Sequence, residues 1–202
     1  MKKMTIVVLS GLFAFVVIPA AYFFVVVPVL NQRANAIMLT GSGEDIEAQV
    51  KQANAKANKR INYPVKWDEK TLIVSETTAR AFTEHRLILR KDPANSNKRE
   101  PLTELPIRPA NAAGLLFTGF ENEAKASAFP LNDSRENLDY GGNYFLGNLR
   151  LTESAIVVLP DERYRDITLP EQQLSLLKFS ALDDVSEKVG NFSPGARLLK
   201  IN

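Results

Sequence analysis

From Met4 to Leu30 the chain runs for 27 residues without a charged side chain, bounded by Lys2 and Lys3 on one side and Arg33 on the other. As a helix, at about 1.5 Å per residue, this run would reach about 40 Å, more than the roughly 30 Å of a bilayer's hydrocarbon core. A transmembrane helix is therefore expected here, with the lipid bilayer as its partner. A cleaved signal peptide carries only about 7–15 apolar residues, so the length predicts a retained signal anchor. Against it stands Ala34-Asn35-Ala36, a small-x-small trio where cleavage after Ala36 would release a secreted soluble protein. The cations near the two ends, Lys2 and Lys3 against Arg33, predict an N-terminus in the cytoplasm and the remainder outside it, in the periplasm if the host is Gram-negative.

The expected division follows: a cytoplasmic tip at 1–3, a transmembrane helix at 4–30, a juxtamembrane linker and stalk helix at 31–60, and an extracytoplasmic domain at 61–202. Lys and Arg together number 25 and Asp and Glu 23, so the part beyond the flanking cations is close to neutral. Neutrality argues against nucleic acid as a partner. No cysteine is present, which excludes disulfides, thiolate metal sites and cysteine nucleophiles.

Beyond Gly41-Ser42-Gly43, Ser42 and Asp45 form a capping box that opens a helix expected over 44–60, ending on Lys59 and Arg60. Ile46, Val50, Ala53 and Ala57 make a narrow stripe along it. A solvated stalk resting on the domain is one reading of this stripe, and weak self-association is the other. From Tyr63 short apolar runs alternate with turn residues, the pattern of strands. A hairpin is expected around Asp68-Glu69-Lys70, and further strands at 86–90, 115–120 and 145–151. Thr168 and Glu171 form another capping box, and Leu174, Leu177, Ala181, Val185 and Val189 at helical spacing predict a C-terminal helix over 170–189, closed by Gly190. Residues 196–201 read as a last strand. The fold class expected is α+β: the transmembrane helix, a short juxtamembrane helix, then a β-rich domain with an antiparallel sheet and a C-terminal helix.

Chemistry is sparse. His85 is the only histidine, so sites built on two imidazoles are excluded, and no GxSxG elbow or phosphate loop occurs. No cofactor and no metal are expected, and no catalytic residue stands out. Carboxylates cluster at Glu121 and Glu123, at Asp161, Glu162 and Asp166, and at Asp183 and Asp184, where solvated turns explain them. Arg86, Arg90, Lys91, Lys98 and Arg99 form the one basic concentration, beside a proline-rich stretch holding Pro93, Pro101, Pro106 and Pro109. These five cations are the candidate partner-docking residues, facing an acidic protein or anionic lipid headgroups. The function expected is that of an accessory or assembly subunit of an envelope complex, acting by contact with a membrane or envelope protein. The competing reading is a membrane-tethered hydrolase using carboxylate or serine chemistry.

Overall fold

The computed structural model describes residues 34–92, 98–126, 128–147, 153–180, 183–192 and 195–201. The apolar run from Met4 to Leu30 lies outside them. Strand β1 (Ala36–Gly41) is already part of the central sheet, with Ile37, Met38 and Leu39 almost fully buried. The Asn35 side chain holds the Ile201 backbone from both sides, accepting from its N–H at 2.8 Å and donating to its carbonyl at 2.6 Å. Cleavage after Ala36 would therefore cut into a buried strand, which argues against that alternative.

Helix α1 (Gly43–Gln52) starts where its cap predicts: the Ser42 hydroxyl accepts from the Asp45 N–H at 3.1 Å. It ends eight residues earlier than expected, because the chain from Lys59 is drawn into strand β2 (Lys59–Asp68). The Ile46 stripe is correspondingly a core element. Ile46 is fully buried, and Val50, Ala53 and Ala57 pack with it against Ile37, Leu39, Leu177 and Phe179. The stripe thus packs inside the fold, and the stretch expected as a stalk belongs to the folded body.

The β2 strand turns through Glu69, whose φ of +51° makes the tight reversal, into β3 (Thr71–Ser75). Helix α2 (Glu76–Glu84), absent from the sequence reading, follows at once with Ser75 as its N-cap. It closes through a left-handed Arg86 at φ +56° and a bond from the Leu87 N–H to the Phe82 carbonyl at 2.8 Å, the Schellman arrangement. The strand expected at 86–90 accordingly starts later, as β4 (Ile88–Lys91), paired with β5 (Arg99–Pro101).

The chain continues through β6 (Gly114–Thr118), the short helix α3 (Glu121–Ala124), β7 (Phe129–Leu131), β8 (Ser134–Glu136), β9 (Leu138–Gly142) and β10 (Phe145–Leu146). Residues 148–152, which complete the strand expected at 145–151, lie outside the described part. Then come β11 (Ala155–Leu159), α4 (Asp161–Asp166), β12 (Gln172–Lys178), the one-turn α5 (Val185–Lys188) and β13 (Arg197–Leu199). Eight strands form one sheet in the order β13-β1-β12-β2-β3-β11-β6-β9, antiparallel except for β3 with β11 and β6 with β9. A second sheet, β10-β4-β5, joins α2 in covering one face. The α+β class with a large, mainly antiparallel sheet is therefore present.

The C-terminal helix is not. Its first half is β12, lodged between β1 and β2. Leu174 and Leu176 enter one core and Leu177 another. A strand buried on both faces loses its two-residue alternation and can carry helical spacing by accident. Gly190 sits in a short 3-10 turn instead of a helix cap.

Two buried cations tie the layers together. Lys66, 6% exposed, donates to the Tyr164 and Ile167 carbonyls at 2.9 and 2.5 Å and lies over the Tyr164 ring, closing the C-terminal end of α4. Arg197 in β13 meets the fully buried Glu153 at 2.7 Å.

Candidate functional site

The β4–β5 hairpin gathers most of the predicted basic residues. Arg90 stands opposite Glu100, and Lys91 opposite Arg99. The Arg90 guanidinium donates to Glu100 at 2.9 Å and lies 5.7 Å from the Tyr144 ring centre, while that of Arg99 lies 5.9 Å from Phe145. Arg90 is thus ion-paired within the hairpin, and both arginines brace it against aromatic rings. Lys91 and Lys98 are exposed on the same hairpin. Arg86 lies outside the hairpin, at the left-handed end of α2. β5 is the edge strand of its sheet and ends at Pro101, which offers no N–H to a further strand.

A second feature was not legible beforehand. At the carboxyl ends of the parallel strands β3 and β11 the chain leaves for α2 on one face and α4 on the other, the arrangement that opens crevices in open sheets. A cavity of about 330 Å³ lies beside this point, between Glu76 and Arg80 of α2, residues 105–108, and a floor of Leu115, Val158 and Leu159. The start of α2 is already occupied by an anion from within the chain. Asp161 accepts from the Thr77 N–H at 3.0 Å and from its hydroxyl at 2.5 Å, and these bonds, the hydroxyl's foremost, hold the carboxyl below its ordinary range. Arg80 pairs with Glu76, and the Arg108 guanidinium donates to the Ala112 carbonyl. The proline-rich stretch forms one wall, with Ile107 standing 95% exposed.

His85 caps the end of α2 and its Nδ1 lies 2.6 Å from the hydroxyl of Tyr63, a buried tyrosine. Burial foremost, and then the Glu84 charge, push the Tyr63 phenol up to about 12, and burial with Glu171 beside it raises Tyr164 too. A folded value above the unfolded one of about 10 means stability that is complete below pH 10 and lost as pH rises through about 12. In an absorbance titration, Tyr63 and Tyr164 should ionise late, together with unfolding. The expected change in Tyr63→Phe is one fewer late phenol. An unchanged number of late phenols would reject the assignment.

Several carboxylates are engaged structurally: Asp161 caps α2, Glu123 accepts from Thr118 at 2.5 Å, Glu136 pairs with Arg163, and Glu153 pairs with Arg197. Among the described residues no cluster of three metal-ligating side chains occurs. Sequence spacing could have flagged the crevice only through Ser75, which follows Leu72-Ile73-Val74, and Asp161, which follows Ala155 to Pro160, the strand-then-helix pattern.

Comparison with known proteins gives three findings. A model of an uncharacterised lipoprotein family matches residues 34–202. No curated protein matches the sequence. A 1.5 Å crystal structure of a candidate lipoprotein from Bacillus anthracis shares the fold, with a TM-score of 0.66 at 20% identity, covering 84% of this chain and 100% of that one. The family description overturns the transmembrane, signal-anchor reading, because lipoproteins are held to the membrane by lipid; residues 4–30 themselves lie outside the described residues.

Proposed function

Because the chain belongs to an uncharacterised lipoprotein family and with it is an extracytoplasmic, envelope-associated protein, we propose that it works by protein contact, as an accessory or assembly subunit of an envelope complex. The β4–β5 hairpin is its docking element and an acidic protein surface its partner. The observation that carries this reading is the division of labour among the hairpin's cations. Arg90 and Arg99 hold the hairpin against Glu100, Tyr144 and Phe145, while Lys91 and Lys98 stand exposed upon it. A pre-braced strand pair loses little freedom when it docks, and exposed cations steer encounter with an acidic surface. The hydrolase reading draws no support from Glu123, Glu136, Glu153 or Asp161, each of which has a structural partner.

The test leaves Arg90 in place, since reversing it would break the pair with Glu100. Lys91→Glu combined with Lys98→Glu should sharply reduce co-purification of the membrane partner from a crosslinked native envelope. Exposed charges contribute little to stability, so the melting curve should move by less than about 1 kcal/mol equivalent. Full retention of the partner by the folded double variant would remove the hairpin from consideration.

A further inference from the structure

Ile107 is the most exposed large apolar side chain among the described residues, at 95%, against 52% for Phe120 and 44% for Tyr140. We propose that Ile107, with Arg108 beside it, is a lipid-contact point that seats the domain on the bilayer surface, the isoleucine entering the interface and the guanidinium meeting lipid phosphates. This inference rests on membrane association of the family and is independent of the hairpin reading.

The segment is built for that contact in three respects. Pro106 and Pro109 flank the pair, and a proline has no N–H, so two of the donors that would resist entry into an apolar phase are absent. Proline also restrains the backbone on both sides, which lowers the entropy lost on ordering. The Arg108 guanidinium is steadied by the Ala112 carbonyl, and its remaining N–H groups suit bonding to phosphate oxygens. The rim's other charges, Glu76 and Arg80, cancel in a pair, while Glu104 is exposed three residues before Ile107. Attraction to anionic lipid is therefore modest, and insertion of the isoleucine has to complement it.

A lone protruding side chain suits a deformable lipid phase better than a protein partner, whose anchors sit in packed, desolvated pockets. So small a contact would not hold a free protein to a membrane. A membrane-attached one is different, because attachment keeps the domain at a high effective concentration near the surface and turns a weak contact into an occupied one. Ile107 precedes β6 and Phe120 follows it, so the two ends of that strand should differ in depth.

The absence of cysteine permits a direct measurement. Ile107→Cys and Lys125→Cys, the latter at the far end of β6, are each labelled with an environment-sensitive fluorophore. The full chain is then reconstituted in protein-free vesicles of phosphatidylethanolamine and phosphatidylglycerol. The probe at 107 should show blue-shifted emission and several-fold stronger quenching by lipids with a shallow nitroxide than the probe at 125. Replacing Arg108 by glutamate in the 107-labelled chain should reduce both signals. Equal, water-like emission at the two positions would overturn the proposal, as would equal quenching at both, which marks unspecific adsorption. A shift at 107 that appears in native membranes and not in pure lipid would assign Ile107 to a protein partner and overturn it too.

Discussion

Arg197→Ala should cost the protein about 3–5 kcal/mol, the range found when one partner of a buried ion pair is removed. Glu153 is fully buried, and Arg197 meets it through two nitrogens, at 2.7 and 3.3 Å. The carboxylate also accepts from the Leu146 N–H at 3.2 Å, and Arg197 lies 3.4 Å from the Leu146 carbonyl. One pair thus joins the last strand of the large sheet to β10 of the small one. Removal of the guanidinium leaves a buried carboxylate without its counter-charge, and the cost is desolvation that the Leu146 N–H offsets only in part. Replacing both residues by leucine should recover much of the loss, since substituting apolar side chains for a buried pair is often neutral. Urea unfolding of the two variants and the native chain measures this directly. A native-like midpoint for Arg197→Ala would mean that the pair contributes nothing to the fold.

Gly114→Val is expected to be nearly as damaging, at about 3 kcal/mol or more, beyond the usual range for overpacking. A Cβ on Gly114 would stand 2.4 Å from the Val158 carbonyl oxygen and 2.8 Å from a Leu159 methyl. The carbonyl belongs to the backbone of β11, the strand paired with β6, and cannot rotate aside. The two strands would have to separate just where the crevice opens. Gly190→Ala is the matched control, since nothing lies within 4 Å of its added methyl. It should be neutral or stabilising by up to about 1 kcal/mol, through a less mobile unfolded chain. Thermal melts of both variants decide, and equal melting temperatures would show that β6 yields more readily than its packing implies.

Local signals in the sequence were read well where the chain obeys them locally. The Ser42 cap and the turn at Glu69 depend on neighbours within a few residues, and both stand where expected. The failures are tertiary. β12 carries helical spacing because it is buried on both faces, in two separate cores, and lies between β1 and β2, more than a hundred residues earlier, and no periodicity records such partners. Helix α2 escaped because Thr77, Thr78 and Thr83 weaken helical propensity, while packing of Ala79 and Phe82 into the core supplies what propensity lacks. The basic hairpin was visible as composition. That Arg90 is paired and Lys91 is exposed depends on strand register, which the sequence does not display. The crevice depends on two strands running parallel, and the hairpin-like spacing of the chain suggested only antiparallel pairs.

The placement of β1 also sets an order in time. Its partners are β12 and β13, at residues 172–178 and 197–199, so the first strand of the domain waits for the last ones to be made. During synthesis and passage across the membrane, Ile37, Met38 and Leu39 have nowhere to be buried, and contacts of such long separation form slowly. A chain whose sheet cannot close before its final residues emerge stays threadable while it is being exported. The same delay leaves an apolar strand edge uncovered on the far side, where a holding chaperone would find it.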